Sequence, residues 1–132
     1  MHTEEMKKYR VRIAGFGLPD EFVQNYRGSI DLEIKRKGQI HNKRTGSKYD
    51  ENIIAIEEHT TYEKGFEEAI DRLISLIKTE PRVSGLFDKC SYIELQVWVR
   101  LDDENRVPNI HLSPSQVDFL SKMKAHIDVD II

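Results

Sequence analysis

The chain has 132 residues, 39% of them hydrophobic and 33% charged, and a formal net charge of −3. That length fits one domain spanning 1–132 with a core needing no staples, and the one cysteine, Cys90, excludes an internal disulfide and a disulfide-built secreted scaffold, which suits a reducing cytoplasm. No apolar run approaches the roughly 20 residues of a membrane helix, the polar start Met1–Lys8 lacks the apolar segment of a signal peptide, and mild acidity argues against general nucleic-acid binding.

Residues 1–7 are polar and expected to be loose. Tyr9, Val11 and Ile13 then alternate with Lys8, Arg10 and Arg12, the period-two pattern of a half-buried strand. After Gly15 and Gly17, the run Leu18-Pro19-Asp20-Glu21 predicts a short helix, with proline near its start and acids in its first turn. Ile30, Leu32 and Ile34 alternate with charged residues as a second strand. Lys35 to Lys48 reads as a loop or hairpin tip, rich in glycine and cations. Asn52 to Glu58 is the third strand.

A long helix is expected from Thr60 or Thr61, because Thr60 followed by Glu63 matches a capping box. Phe66, Ala69, Ile70, Leu73, Ile74 and Ile77 fall on one helical stripe, and Pro81 is read as its stop. Residues 82–91 stay open between a loop and a helical turn, with Val83, Leu86 and Phe87 turned inward. Tyr92 to Leu101 is the clearest strand. Ile93, Leu95, Val97, Val99 and Leu101 share one face, and Tyr92, Glu94, Gln96, Trp98 and Arg100 share the other.

A turn at Asp102-Asp103-Glu104-Asn105 allows Asn109 to Leu112 to return as an antiparallel partner. Ser113, Pro114 and Gln116 then open a helix as cap, first residue and capping-box partner. Ile127, Val129 and Ile131 alternate with His126, Asp128 and Asp130 in a final strand. The order is β-α-β-β-α-β-β-α-β. One apolar and one polar face per strand predicts an α+β fold, an antiparallel sheet with helices packed on one face and the other wet. A ferredoxin-like or split β-α-β arrangement is the natural candidate.

Four features bear on function. His126-x-Asp128-x-Asp130, with His111, supplies imidazole and carboxylates of the kind that hold divalent metals. Alternate strand positions stand roughly 7 Å apart and rarely converge on one ion, so the competing expectation is a charged face on which Arg10 and Arg12 pair with Asp128 and Asp130. The cations Lys35, Arg36, Lys37, Lys43, Arg44 and Lys48 lack the clustered aromatics of an RNA-binding sheet and read as a solvated tip. Cys90 has no histidine or acid at a recognised catalytic spacing and reads as packing. Tyr92, Gln96, Trp98 and Arg100 share a polar strand face, and tryptophan, tyrosine and arginine dominate protein interfaces.

The motifs Leu18-Pro19-Asp20-Glu21, Lys37-Gly38, Glu57-Glu58, Ile110-His111-Leu112-Ser113 and Ile127-Asp128-Val129-Asp130-Ile131 occur here in one order. That order resembles a widespread bacterial family of single-domain proteins known only as a domain of unknown function, over nearly the whole chain. The resemblance supports the fold and adds little about chemistry. Members of such families occur as immunity proteins beside secreted toxins, and that role is what the resemblance implies. The expectation is a non-catalytic cytoplasmic protein that needs no cofactor. Tyr92, Gln96, Trp98 and Arg100 would hold a protein partner such as a toxin, and Asp102, Asp103 and Glu104 would steer it in. The alternatives are a small enzyme or sensor with a polar site at His111, His126, Asp128 and Asp130, and a module that self-associates through strand edges.

Overall fold

The computed structural model of the chain describes residues 9–24, 26, 31–60, 65–100 and 110–131. The elements run β1 (Tyr9–Phe16), α1 (Asp20–Val23), β2 (Glu33–Lys35), β3 (Ile40–Asn42), β4 (Ser47–Lys48), β5 (Ile53–Thr60), α2 (Phe66–Thr79), α3 (Pro81–Lys89), β6 (Tyr92–Val99), α4 (Pro114–Lys122) and β7 (Ala125–Ile131). The α+β class predicted from strand alternation is the one observed. A five-stranded sheet of order β2-β5-β1-β6-β7 carries helices on one side, and β3 and β4 form a separate hairpin within the predicted tip.

Strand β1 occupies the centre and is antiparallel to both neighbours, pairing Ile13 with Ile56 of β5 and with Leu95 of β6. Strands β5 and β6 therefore run parallel to each other with β1 between them, joined by α2 and α3 in a split β-α-β unit. The apolar alternation faces the helices. Val11, Ile13, Leu95, Val97 and Val99 are buried, as is the whole predicted stripe of α2, from Phe66 to Ile77. Burying such side chains contributes roughly 1.5–3 kcal/mol each against exposure, so this stripe fixes α2 on β1 and β5.

Several boundaries differ from the sequence reading. Thr60 ends β5 rather than capping a helix, and α2 starts at Phe66 behind Gly65, whose φ of 83° suits a residue without a Cβ. Pro81 ends α2 and also opens α3, the nine-residue helix over the ambiguous segment. Proline is well placed at a first helical position, and Glu80 caps the helix by accepting from the Arg82 N–H. Val83, Leu86 and Phe87 of α3 are all buried.

The largest topological difference lies after β6. Ile110, His111 and Leu112 belong to no strand, and Asn109 lies outside the described residues. Both edges of β6 are already taken, by β1 on one side and by β7, in parallel, on the other. A return strand has no place there. Helix α4 is the crossover that parallel neighbours require. Its Ser113 cap accepts from the Gln116 N–H, and the Gln116 side chain accepts from the Ser113 N–H, so the predicted capping box is present. Gln116 also reaches further. Its amide nitrogen donates to Glu67 O at 2.9 Å and Asp71 Oδ1 at 2.7 Å, docking α4 onto α2.

Candidate functional site

The face of the sheet opposite the helices is the surface on which the interface candidates fall. Register sets its rows. His59, Arg10, Trp98 and Asp130 lie side by side across β5, β1, β6 and β7. Glu57, Arg12, Gln96 and Asp128 form the next row. Ala14, Glu94 and His126 follow, then Phe16 and Tyr92. Alternation explains this placement, because the residues between them point into the core.

Trp98 is half-buried, with the Arg10 guanidinium 4.4 Å from its ring centroid. A cation over an indole face contributes on the order of 0.5–1 kcal/mol where solvent reaches it. Tyr92 is 39% exposed and stacks on His126 with centroids 4.4 Å apart. Its hydroxyl donates to Glu94 Oε2, and Gln96 Nε2 donates to Glu94 Oε1, each at 2.9 Å. The hydrogen bond to the Glu94 carboxylate holds the Tyr92 phenol above its ordinary pKa. Gln96 Oε1 and Arg12 Nε are buried and have no hydrogen-bond partner among the described residues.

The predicted pairing of Arg10 and Arg12 with Asp128 and Asp130 is not made. Arg10 bonds Glu57 at 2.9 Å and Arg12 bonds Glu33 at 2.6 Å, both toward the opposite edge of the sheet. The reason is strand order, since β6 separates β1 from β7. Asp128 and Asp130 have no ion pair among the described residues. With Glu94 they make the β6–β7 side of the face acidic. Burial raises the Glu57 carboxyl, but the hydrogen bond and charge of Arg10, followed by those of His59, outweigh it and hold the group below its ordinary 4.5. A depressed folded-state value gives stability that is present above the unfolded value and lost as pH falls through the folded one. Denaturant unfolding at a series of pH values below about 4.5 is therefore expected to show a shallower loss of stability for Glu57→Gln than for the parent.

The metal candidates are not brought together. His126, Asp128 and Asp130 line the outer face of β7, whereas His111 Nδ1 lies 2.8 Å from Glu67 Oε1 on α2 in the helix layer. Among the described residues no group of three metal-ligating side chains forms. Cys90 is half-buried, its thiol donating weakly to Leu86 O, and burial with the nearby Glu51 charge pushes its pKa up to about 12. A thiol so rarely ionised is a poor nucleophile. Arg100 follows β6 and is exposed. Asp102, Asp103 and Glu104 lie outside the described residues.

Sequence reasoning placed Arg10 on this charged face but missed its stacking over Trp98. It also missed a groove of about 550 Å³ beside the start of β6 and β7, whose walls include Cys90, Tyr92, Lys122, Lys124 and His126. In comparison with known proteins, a family model described as a domain of unknown function (DUF4279) matches residues 12–132. No curated protein and no solved structure matches the chain.

Proposed function

Starting from a chain that belongs to the DUF4279 family, a domain of unknown function, we propose that it is a non-catalytic protein-binding domain whose open sheet face holds a partner. The observation that carries this reading is Trp98 beneath Arg10, beside two buried polar atoms, Arg12 Nε and Gln96 Oε1, that find no partner among the described residues. Buried polar atoms in native proteins are nearly always bonded, and a partner that displaces the side chains shielding these two would supply the missing bonds. Tryptophan and arginine are also the side chains that most often dominate binding energy.

The partner that fits is basic. Arg10 and Arg12 are already neutralised by Glu57 and Glu33, while Asp128 and Asp130, one strand further on across β6, face solvent without an ion pair among the described residues. A basic surface approaching this side is accelerated and oriented by them. In its sharper form the domain is a cytoplasmic immunity protein that neutralises a basic bacterial toxin by covering it.

The test is to purify the chain with the product of the adjacent gene and titrate the complex. Trp98→Ala is expected to weaken binding about tenfold while the unfolding midpoint stays near that of the parent. Unchanged affinity together with lost stability would leave Trp98 a packing residue and remove this reading. Inhibition of that product's toxicity separates an immunity protein from any other binder.

One observation favours a second reading, a small-molecule sensor. The groove lined by Tyr92, Lys122, Lys124 and His126 has the size of a ligand site. A metabolite retained in native mass spectra and released by Lys122→Ala would favour it over protein binding.

A further inference from the structure

The two edges of the sheet are unlike. Strand β2 is three residues long and carries Glu33 and Lys35, so little of it is free to pair. Strand β7 has seven residues, no proline and no lysine, and nothing pairs with its far side among the described residues. Short, charged strands are the usual guard on a sheet edge, and a long apolar one invites pairing. Strand β7 is apolar on the side where β6 is covered. Ile127, Val129 and Ile131 lie level with the buried Leu95, Val97 and Val99 but are 53%, 39% and 58% exposed. Helix α4 shelters only the beginning of the strand, where Ala125 is half-buried.

We propose that a second copy of this chain pairs antiparallel with β7, joining two five-stranded sheets into one. The charges along the strand select this occupant and its register. Centred on Ile127, the pairing sets His126 opposite Asp128 of the second copy and Asp128 opposite its His126. It also brings Lys124 near Asp130 of the second copy. Centred on Asp128, the same strand opposes aspartate to aspartate at the axis. Centred on Val129, it opposes Asp128 to Asp130 twice. Like charges directly opposite destabilise a strand pair, so only the first of these three registers is complementary on its polar face. On its apolar face that register sets Ile127 against Ile127 of the second copy and Val129 against Ala125. The interface is self-complementary, as a two-fold dimer requires. Backbone hydrogen bonds hold the pair, and the two apolar stripes cover each other.

The dimer rests on the edge of the sheet and not on Trp98, but it engages Asp128 and Asp130, the two aspartates that the proposed function offers to a basic partner. Its test is the oligomeric state of the intact protein by light scattering and sedimentation over a concentration series. A dimer is expected, converting to monomer in Val129→Lys with unchanged circular dichroism. Directly opposed positions in a strand pair are within reach of a disulfide with little backbone movement. In a Cys90→Ala background, Ile127→Cys is expected to cross-link to a covalent dimer on mild oxidation, and Val129→Cys to cross-link poorly. A monomer throughout the concentration series would overturn the proposal. So would a dimer indifferent to Val129→Lys, or one that cross-links through position 129 in preference to 127.

Discussion

Replacing Gln116 with alanine is expected to lower the unfolding free energy by about 2–4 kcal/mol, read from denaturant melts of parent and variant. Gln116 is 1% exposed and uses both ends of its amide. The oxygen accepts from the Ser113 N–H at 2.9 Å, and the nitrogen donates to Glu67 O and Asp71 Oδ1. Truncation takes the cap partner from α4 and the strap from α2 together, leaving polar atoms unpaired and a void beside them. Gln116→Glu keeps the volume but sets a carboxylate against Asp71 and removes both donors. It is expected to cost as much as alanine at neutral pH and less when acid protonates the new group. An alanine variant within about 0.5 kcal/mol of the parent, the ordinary range for an uninvolved surface site, would show that the strap contributes nothing.

The second large effect belongs to Gly15. A Cβ built there falls 2.6 Å from Cys90 Sγ, 3.1 Å from Phe87 Cδ1 and 3.3 Å from Cys90 Cβ. Strand β1 therefore accepts no side chain where α3 runs into β6. Gly15→Ala is expected to cost about 2–3 kcal/mol, at the upper end of overpacking penalties, because the obstacle is the short, half-buried Cys90. Cys90→Ala removes the nearest atom. In the double variant more than about 1 kcal/mol of the Gly15→Ala loss is expected to return, a coupling that independent sites do not show. Additive losses in that cycle would place the strain elsewhere. The same closeness accounts for the thiol, which here fills space against a bare backbone.

How legible the fold was depends on which force set each part. Wherever burial alone decided, the alternation in β1 and β6 and the stripe from Phe66 to Ile77 named the inward residues correctly, with Leu101 lying outside the described residues. Local hydrogen bonding was equally plain at Ser113 and Gln116, since a capping box is written within four residues. What failed was adjacency. Nothing in Tyr92 to Leu101 says that β1 and β7 fill both of its edges, so the segment at 109–112 seemed free to return as a hairpin. Arg10 and Arg12 went to Glu57 and Glu33 rather than Asp128 and Asp130 for the same reason. The start of α2 failed differently. Thr60 and Glu63 carry a capping signature, yet pairing of Thr60 with Tyr9 in the sheet outweighed it. For the site, Tyr92, Gln96 and Trp98 were placed on the open face by period alone. Arg10 over Trp98 required the cross-strand register.

Strand β1 pairs Tyr9 with Thr60 on one side and with Val99 on the other. Of the five strands in this sheet it is made first, and its second neighbour, β6, follows only after β5, α2 and α3. At roughly 5–20 residues per second, several seconds of translation separate its emergence from the arrival of β6. A nascent chain can meanwhile assemble only β2, β5 and β1 with α2 and α3 packed on them, a partial sheet in which one edge of β1 is unpaired. Connections this distant along the polymer also slow spontaneous refolding. During that interval the free edge of β1 offers unpaired backbone N–H and C=O groups to any other strand.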